Sequence, residues 1–149
     1  MKLCAVVALC SSALAFGPPA QADVVNGGFE TGTFAGWTLT GDTSFSGVDP
    51  SAARSGNYGA FFGPTTVGGI SQAFATTANT AYVVTFSLAL LDSARPNSFS
   101  WTWNGGTESP TLSNAAAFAY TDFSSTVRHW SFVGHWLQLR QSTIILAAG

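Results

Sequence analysis

The sequence predicts an all-β protein, an antiparallel β-sandwich, on three observations. Several segments alternate apolar and polar residues with period two, clusters of Gly, Pro, Asn and Asp separate those segments, and no window sustains a helical period. Many short strands with turn signals between them indicate a sandwich rather than a parallel sheet, which would need helical crossovers. At 149 residues the chain has room for a single domain with a sizeable core, and it contains no internal repeat, Pro-rich linker or charge block.

The chain begins with Lys2 and an apolar run over residues 3–16, broken only by Ser11 and Ser12. Gly17, Pro18 and Pro19 follow, then Ala20, Gln21 and Ala22. This is the layout of a secretory signal peptide over residues 1–22, cleaved after Ala22. The run is shorter than the roughly 20 apolar residues needed to span a bilayer, so no transmembrane segment is expected after cleavage. The expected location is secreted or extracytoplasmic. Leu9 ahead of Cys10 is bulky where lipoprotein signals carry a small residue, which argues against lipid attachment. Both cysteines, Cys4 and Cys10, fall inside the leader, so disulfides are not expected to hold the mature chain.

The clearest strand is 82–90, with Tyr82, Val84, Phe86, Leu88 and Leu90 on one side. Ile70, Gln72 and Phe74 alternate before it, and the break at Ala78, Asn79 and Thr80 joins the two. Residues 98–103 alternate again, with Phe99, Trp101 and Trp103 on one face, ahead of the tight-turn residues Asn104, Gly105 and Gly106. Shorter strands are expected at 24–30, 37–40, 43–48, 58–62 and 118–127. Residues 114–120 are Ala-rich but too short for a stable isolated helix.

Lys2 is the only lysine, and Arg54, Arg95, Arg128 and Arg140 lie far apart. The formal net charge of −2 becomes more negative when the leader is removed. A nucleic-acid binder needs clustered basic residues to displace counterions from phosphates, so nucleic acid is excluded as a partner, and an anionic membrane surface is a poor candidate. Gly, Ser, Thr, Asn and aromatic residues dominate instead, which suits ligands recognised by stacking and neutral hydrogen bonds.

The stretch Asn26-Gly27-Gly28-Phe29-Glu30-Thr31-Gly32, followed by Gly36-Trp37-Thr38, resembles the opening of the jelly-roll, galactose-binding-like carbohydrate-binding modules of bacterial exported proteins. Arg54-Ser55-Gly56-Asn57-Tyr58, Ile70-Ser71-Gln72, Tyr82 to Leu88 and Asn97-Ser98-Phe99 carry the resemblance to about Phe123. It implies a jelly roll over residues 23–126, and a structural Ca²⁺ held by Glu30 and the turn around Gly56, since hard oxygen ligands suit that ion. It also implies a polysaccharide or cell-surface glycan as partner. The family's usual last strand, ending in paired aspartates, has no counterpart here. Residues 127–149 hold His129, His135, Trp130 and Trp136, and read as an atypical, truncated or frame-shifted tail, although 136–140 still alternates and could replace a strand.

Trp37, Trp101 and Asn104 are the candidate ligand contacts, because a flat indole face matches the apolar face of a pyranose. Burial is the competing reading: Trp37 sits in the opening motif, and residues 99, 101 and 103 are either all core or all platform. If they are core, Ser98, Ser100, Thr102 and Asn104 line the opposite face. A glycosidase needs two carboxyl groups facing each other across a cleft. Glu30, Asp42, Asp49, Asp92, Glu108 and Asp122 mostly fall beside turn residues, where acidic side chains serve local purposes. The expectation is a non-catalytic, extracytoplasmic carbohydrate-binding-like module. The alternative is a structural surface or extracellular-matrix sandwich without a specific small ligand, since weakly charged strand edges pair readily.

Overall fold

The computed structural model describes residues 2–4, 24–103, 106–128, 135–141 and 145–147. The leader beyond Cys4, Asn104 and the remaining parts of the tail lie outside the described residues. The strands are β1 (Lys2–Cys4), β2 (Thr38–Gly41), β3 (Ser46–Asp49), β4 (Gly59–Phe62), β5 (Gly68–Phe74), β6 (Ala81–Leu90), β7 (Ser98–Trp103), β8 (Gly106–Ser113), β9 (Phe118–Arg128), β10 (His135–Gln141) and β11 (Ile145–Ala147). The only helical element among the described residues is a 3₁₀ turn at Pro50–Ala52. Every strand pairing is antiparallel, in two sheets. One runs β2–β5–β10–β7–β8; the other contains β3, β4, β11, β6 and β9, with β1. The protein is the expected all-β jelly-roll sandwich.

Alternation sets which side of each strand is buried. Tyr82, Val84, Phe86, Leu88 and Leu90 of β6 and Phe99, Trp101 and Trp103 of β7 all face inward. Phe86 meets Phe99, Trp101 and Phe123 at ring-centroid separations of 5.6 Å, joining the two sheets through aromatic contacts. Truncating such a buried ring to Ala costs about 3–5 kcal/mol, a large part of the stability of a domain this size.

Two expectations are corrected. Residues 24–30 form turns rather than a strand, because Asn26 and Phe29 adopt φ of 50° and 60° and the Phe29 N–H closes onto the Asn26 carbonyl at 3.0 Å. The strand expected at 43–48 begins only at Ser46, after a turn in which the Ser46 N–H reaches the Thr43 carbonyl at 3.3 Å. Residues 114–120, read as too short for a stable helix, are indeed not helical. Asn97 clamps that segment, accepting from the Ala115 N–H at 2.9 Å and donating to the Ala115 carbonyl at 3.1 Å, and β9 starts at Phe118.

β8 has no counterpart in the sequence reading. It contains Pro110, which a central strand would exclude, and it lies at the edge of its sheet, where a missing N–H is tolerated.

The tail carries β10 and β11, and β10 covers the alternating residues 136–140. β10 is central, pairing with β5 from His135↔Phe74 to Gln141↔Gly68 and with β7 from Leu137↔Trp103 to Gln141↔Phe99. In the other sheet, β1 and β11 both register between β4 and β6: Leu3 and Leu146 are each opposite Ala60 and Leu88. β4 uses its other edge for β3, and β6 uses its other edge for β9. The backbone groups left over can serve one inserted strand, and two segments of the chain address them.

Candidate functional site

The opening motif is an internal clasp. Asn26 donates to the carbonyls of Thr33 and Ala35 at 2.9 and 3.0 Å and accepts from the Thr31 N–H. Its own carbonyl accepts from the Trp37 indole N–H at 3.1 Å. Phe29 stacks on Trp37 with centroids 5.8 Å apart. Gln72, buried on β5, then fastens the segment to the sheet: it accepts from the Val25 N–H at 2.7 Å and donates to the carbonyls of Val25 and Gly36 at 2.9 and 2.8 Å.

This decides what the sequence-chosen aromatics can offer. Trp37 is 6% exposed and Trp101 0%, so neither presents an indole face to a ligand in this arrangement. Of the two alternatives open for Phe99, Trp101 and Trp103, the structure takes the core. Ser98, Ser100 and Thr102 are half-buried on the opposite face, and Asn104 lies outside the described residues.

Glu30 and Gly56 do come together. The Glu30 carboxylate accepts from the Asn57 and Tyr58 N–H groups and from the Asn57 side-chain amide, at 3.0 to 3.4 Å. Gly56 has φ +70°, and a Cβ there would overlap the carboxylate, so only glycine lets the loop close around it. The Asn57 backbone N–H is the main cause holding the Glu30 carboxyl below the usual carboxylate range. The groups contacting this carboxylate are N–H donors, whereas Ca²⁺ takes about six to eight oxygens. No group of three or more His, Cys, Asp or Glu gathers in metal-binding range among the described residues. The arrangement fits a hydrogen-bonded carboxylate rather than a Ca²⁺ ligand set.

Three other carboxylates serve local turns. Asp42, Asp49 and Asp92 accept the backbone N–H two residues on, from Ser44, Ser51 and Ala94 at 2.8 to 2.9 Å. Asp42 also takes the Ser44 hydroxyl and the Thr65 and Thr66 donors. Its carboxyl titrates far below the usual range, with the Ser44 hydroxyl the largest cause.

Asp122 is different. It stands mid-strand on β9, opposite Ser87 of β6, on the outer face of the sheet. The Ser87 hydroxyl and the Arg54 guanidinium both donate to it, with the second Arg54 nitrogen reaching the other carboxylate oxygen at 2.8 Å. The Arg54 hydrogen bond, then that of Ser87, holds the Asp122 carboxyl below its ordinary value.

Arg54 arrives from outside the sheet. Asp49 caps the 3₁₀ turn that follows β3, and the Tyr120 hydroxyl on β9 holds the Ala52 carbonyl at 2.7 Å, which places the next residues over β6 and β9. The β6–β9 register slips between Ser87 and Leu90, an irregularity of the kind often found beside sites.

Arg54, Thr85, Phe86, Ser87, Asp122, Phe123 and Ser124 enclose a depression of about 340 Å³, within the range of small-ligand sites. Asp122 keeps two thirds of its side chain exposed, so it retains lone pairs for a ligand beside the Arg54 donors. A guanidinium next to a carboxylate, flanked by the Thr85 and Ser124 hydroxyls, complements a polyhydroxylated molecule: one hydroxyl accepts from Arg54 while its neighbour donates to Asp122. Sequence reading missed this place because Arg54 and Asp122 are 68 residues apart and only β9 pairing unites them. The signal available was an Asp inside an otherwise alternating strand.

No family model matches the sequence, and no curated protein matches it. The architecture, by contrast, is shared with solved structures, all-β jelly-roll sandwiches of the carbohydrate-binding-module type. A family 16 carbohydrate-binding module is 17% identical with a TM-score of 0.53, covering 82% of this chain and 89% of that one. TmCBM61, described as a complex with β-1,4-galactotriose, is 21% identical with a TM-score of 0.55, covering 83% of this chain and 87% of that one. At these identities the likeness establishes the fold.

Proposed function

We propose that this protein is a non-catalytic, extracytoplasmic carbohydrate-binding module that holds a neutral glycan in the depression formed by Arg54, Ser87 and Asp122. The observation that carries this reading is the donor and acceptor pair set side by side over the β6–β9 face. The fold shared with carbohydrate-binding modules supports it, as do the absence of clustered basic residues and the engagement of Glu30, Asp42, Asp49 and Asp92 by loop hydrogen bonds. The leader-like residues 1–22 support an extracytoplasmic site of action.

The test is affinity electrophoresis in gels containing β-1,4-galactan, xylan or hydroxyethylcellulose. Ser124→Trp fills the depression without touching the core, and should abolish retardation while leaving the melting temperature unchanged. Equal retardation of this variant and the wild type would move the site elsewhere. With N–H donors engaging the Glu30 carboxylate, no structural Ca²⁺ is expected at Glu30 and Gly56: melting curves in EDTA and in CaCl₂ should coincide, and a rise in CaCl₂ would overturn this.

The second reading, a self-associating surface or matrix protein, is favoured by the exposed side chains of Phe45, Leu91, Val25 and Val67. Sedimentation across concentrations separates the two, since a constant monomer rules out self-association.

A further inference from the structure

Two phenylalanines adopt left-handed backbone conformations that bulky residues rarely occupy: Phe29 at φ 60° and Phe45 at φ 53°. Phe29 is fully buried and packs against Phe34 and Trp37, so its conformation is repaid by ring contacts. Phe45 has no such compensation. It is 74% exposed, and it has no ring partner among the described residues.

Phe45 occupies the third position of the turn from Thr43 to Ser46, where a positive φ is the natural place for Gly or Asn. The turn is nevertheless held firmly. Asp42 gathers donors from both of its flanking loops, Ser44 on one side and Thr65 and Thr66 on the other. The Phe45 carbonyl accepts the Gly63 N–H at 2.9 Å, and the Asp42 N–H donates to the Val67 carbonyl at 3.1 Å. A strained residue persists only where its surroundings over-determine it, and an exposed ring fixed in this way is preorganised for contact.

Resting on the carbohydrate-binding reading above, we propose that Phe45 is a second glycan contact, stacking its ring on the apolar face of one pyranose of an extended neutral chain. The surroundings select this occupant. The ring stands on a turn built from Thr43, Ser44 and Ser46, and the Asp42 carboxylate just ahead of it is already satisfied by donors from Ser44, Thr65 and Thr66. An exposed ring on a turn of hydroxyl-bearing residues matches a sugar, which has one apolar face and a polar edge. Phe45 precedes β3, at the opposite edge of the sheet from β9. With strands about 4.8 Å apart, the ring and the Arg54 depression are separated by roughly 15–20 Å, so a single ligand reaching both would span several sugar units.

The experiment measures retardation of the purified protein in gels containing β-1,4-galactan, xylan or hydroxyethylcellulose, together with its melting temperature. Phe45→Asn removes the ring and suits the left-handed backbone. The expected result is roughly tenfold weaker binding, with a melting temperature unchanged or raised by about 3 °C. Phe45→Leu, which keeps apolar bulk but loses the flat face, should bind as weakly as Phe45→Asn. If Phe45→Asn lowers the melting temperature sharply, the ring is a packing group and the proposal is overturned. If the wild type is retarded and both variants match it, Phe45 is not a contact, although the carbohydrate-binding reading stands. If no polysaccharide retards the wild type, both readings fail together.

Discussion

Replacing Gln72 with Ala should destabilise the protein far more than its polar character suggests. Gln72 makes three hydrogen bonds to the opening segment, two with Val25 and one with Gly36, at 2.7 to 2.9 Å. Each is worth about 0.5–1.5 kcal/mol net, and the Val25 side of the cluster is open enough for water to recover part of the loss. The sum is about 3 kcal/mol, which for a domain of this size lowers the melting temperature by roughly 10 °C. Urea unfolding measures the free energy. Hydrogen exchange locates it, because the Val25 amide donates directly to Gln72 and should lose its protection before the β6 amides do. Gln72→Glu makes a sharper comparison, since it preserves shape while removing both amide donations at neutral pH. A Gln72→Ala protein within about 1 kcal/mol of the wild type would show that the segment is held by Phe29 and Trp37 alone.

Two further outcomes follow from the carboxylates and the shared strand position. Glu30, Asp42 and Asp122 are all held below the usual range when folded, so their stabilisation is complete above the unfolded values near pH 4 and drains away as the pH falls through the folded ones. The urea midpoint should therefore be flat from about pH 5 to 7 and drop below about pH 4, with a shallower drop in Asp42→Asn; an unchanged slope would mean that the Asp42 hub contributes nothing. Because β1 and β11 register against the same residues, a chain beginning at Asp23 should show slower exchange at Ile145–Ala147 than the full chain. Equal exchange in the two would mean the segments do not compete.

The strands that were legible in the sequence bury one whole face. β6 and β7 announce themselves because period-two alternation and burial coincide from Tyr82 to Leu90 and from Phe99 to Trp103. The turns were harder, since their conformations depend on residues that do not look like turn formers. Nothing in Phe29 or Phe45 signals a positive φ; the first is fixed by stacking on Trp37 and the second by hydrogen bonds centred on Asp42. β10 was legible in part. The alternation at 136–140 is that of a replacement strand, but residues 127–149 depart from the pattern of the resembled family, and nothing local to them says that the strand fills the centre of a sheet.

The site was less legible than the fold for a reason that applies to any sandwich of this kind. Large aromatics attract attention as ligand platforms, yet a disulfide-free mature chain would have to draw its stability from burial, and Trp37 and Trp101 are spent on the core. What remains for recognition is the outer face, where strand residues are short and polar and leave little mark on the sequence. Ser87 and Asp122 become conspicuous only when β6 and β9 pair and the 3₁₀ turn carries Arg54 over them. The same economy explains Phe45. An exposed ring contributes almost nothing to folding and strains its turn, and that is the ground for proposing that it acts on something outside the protein.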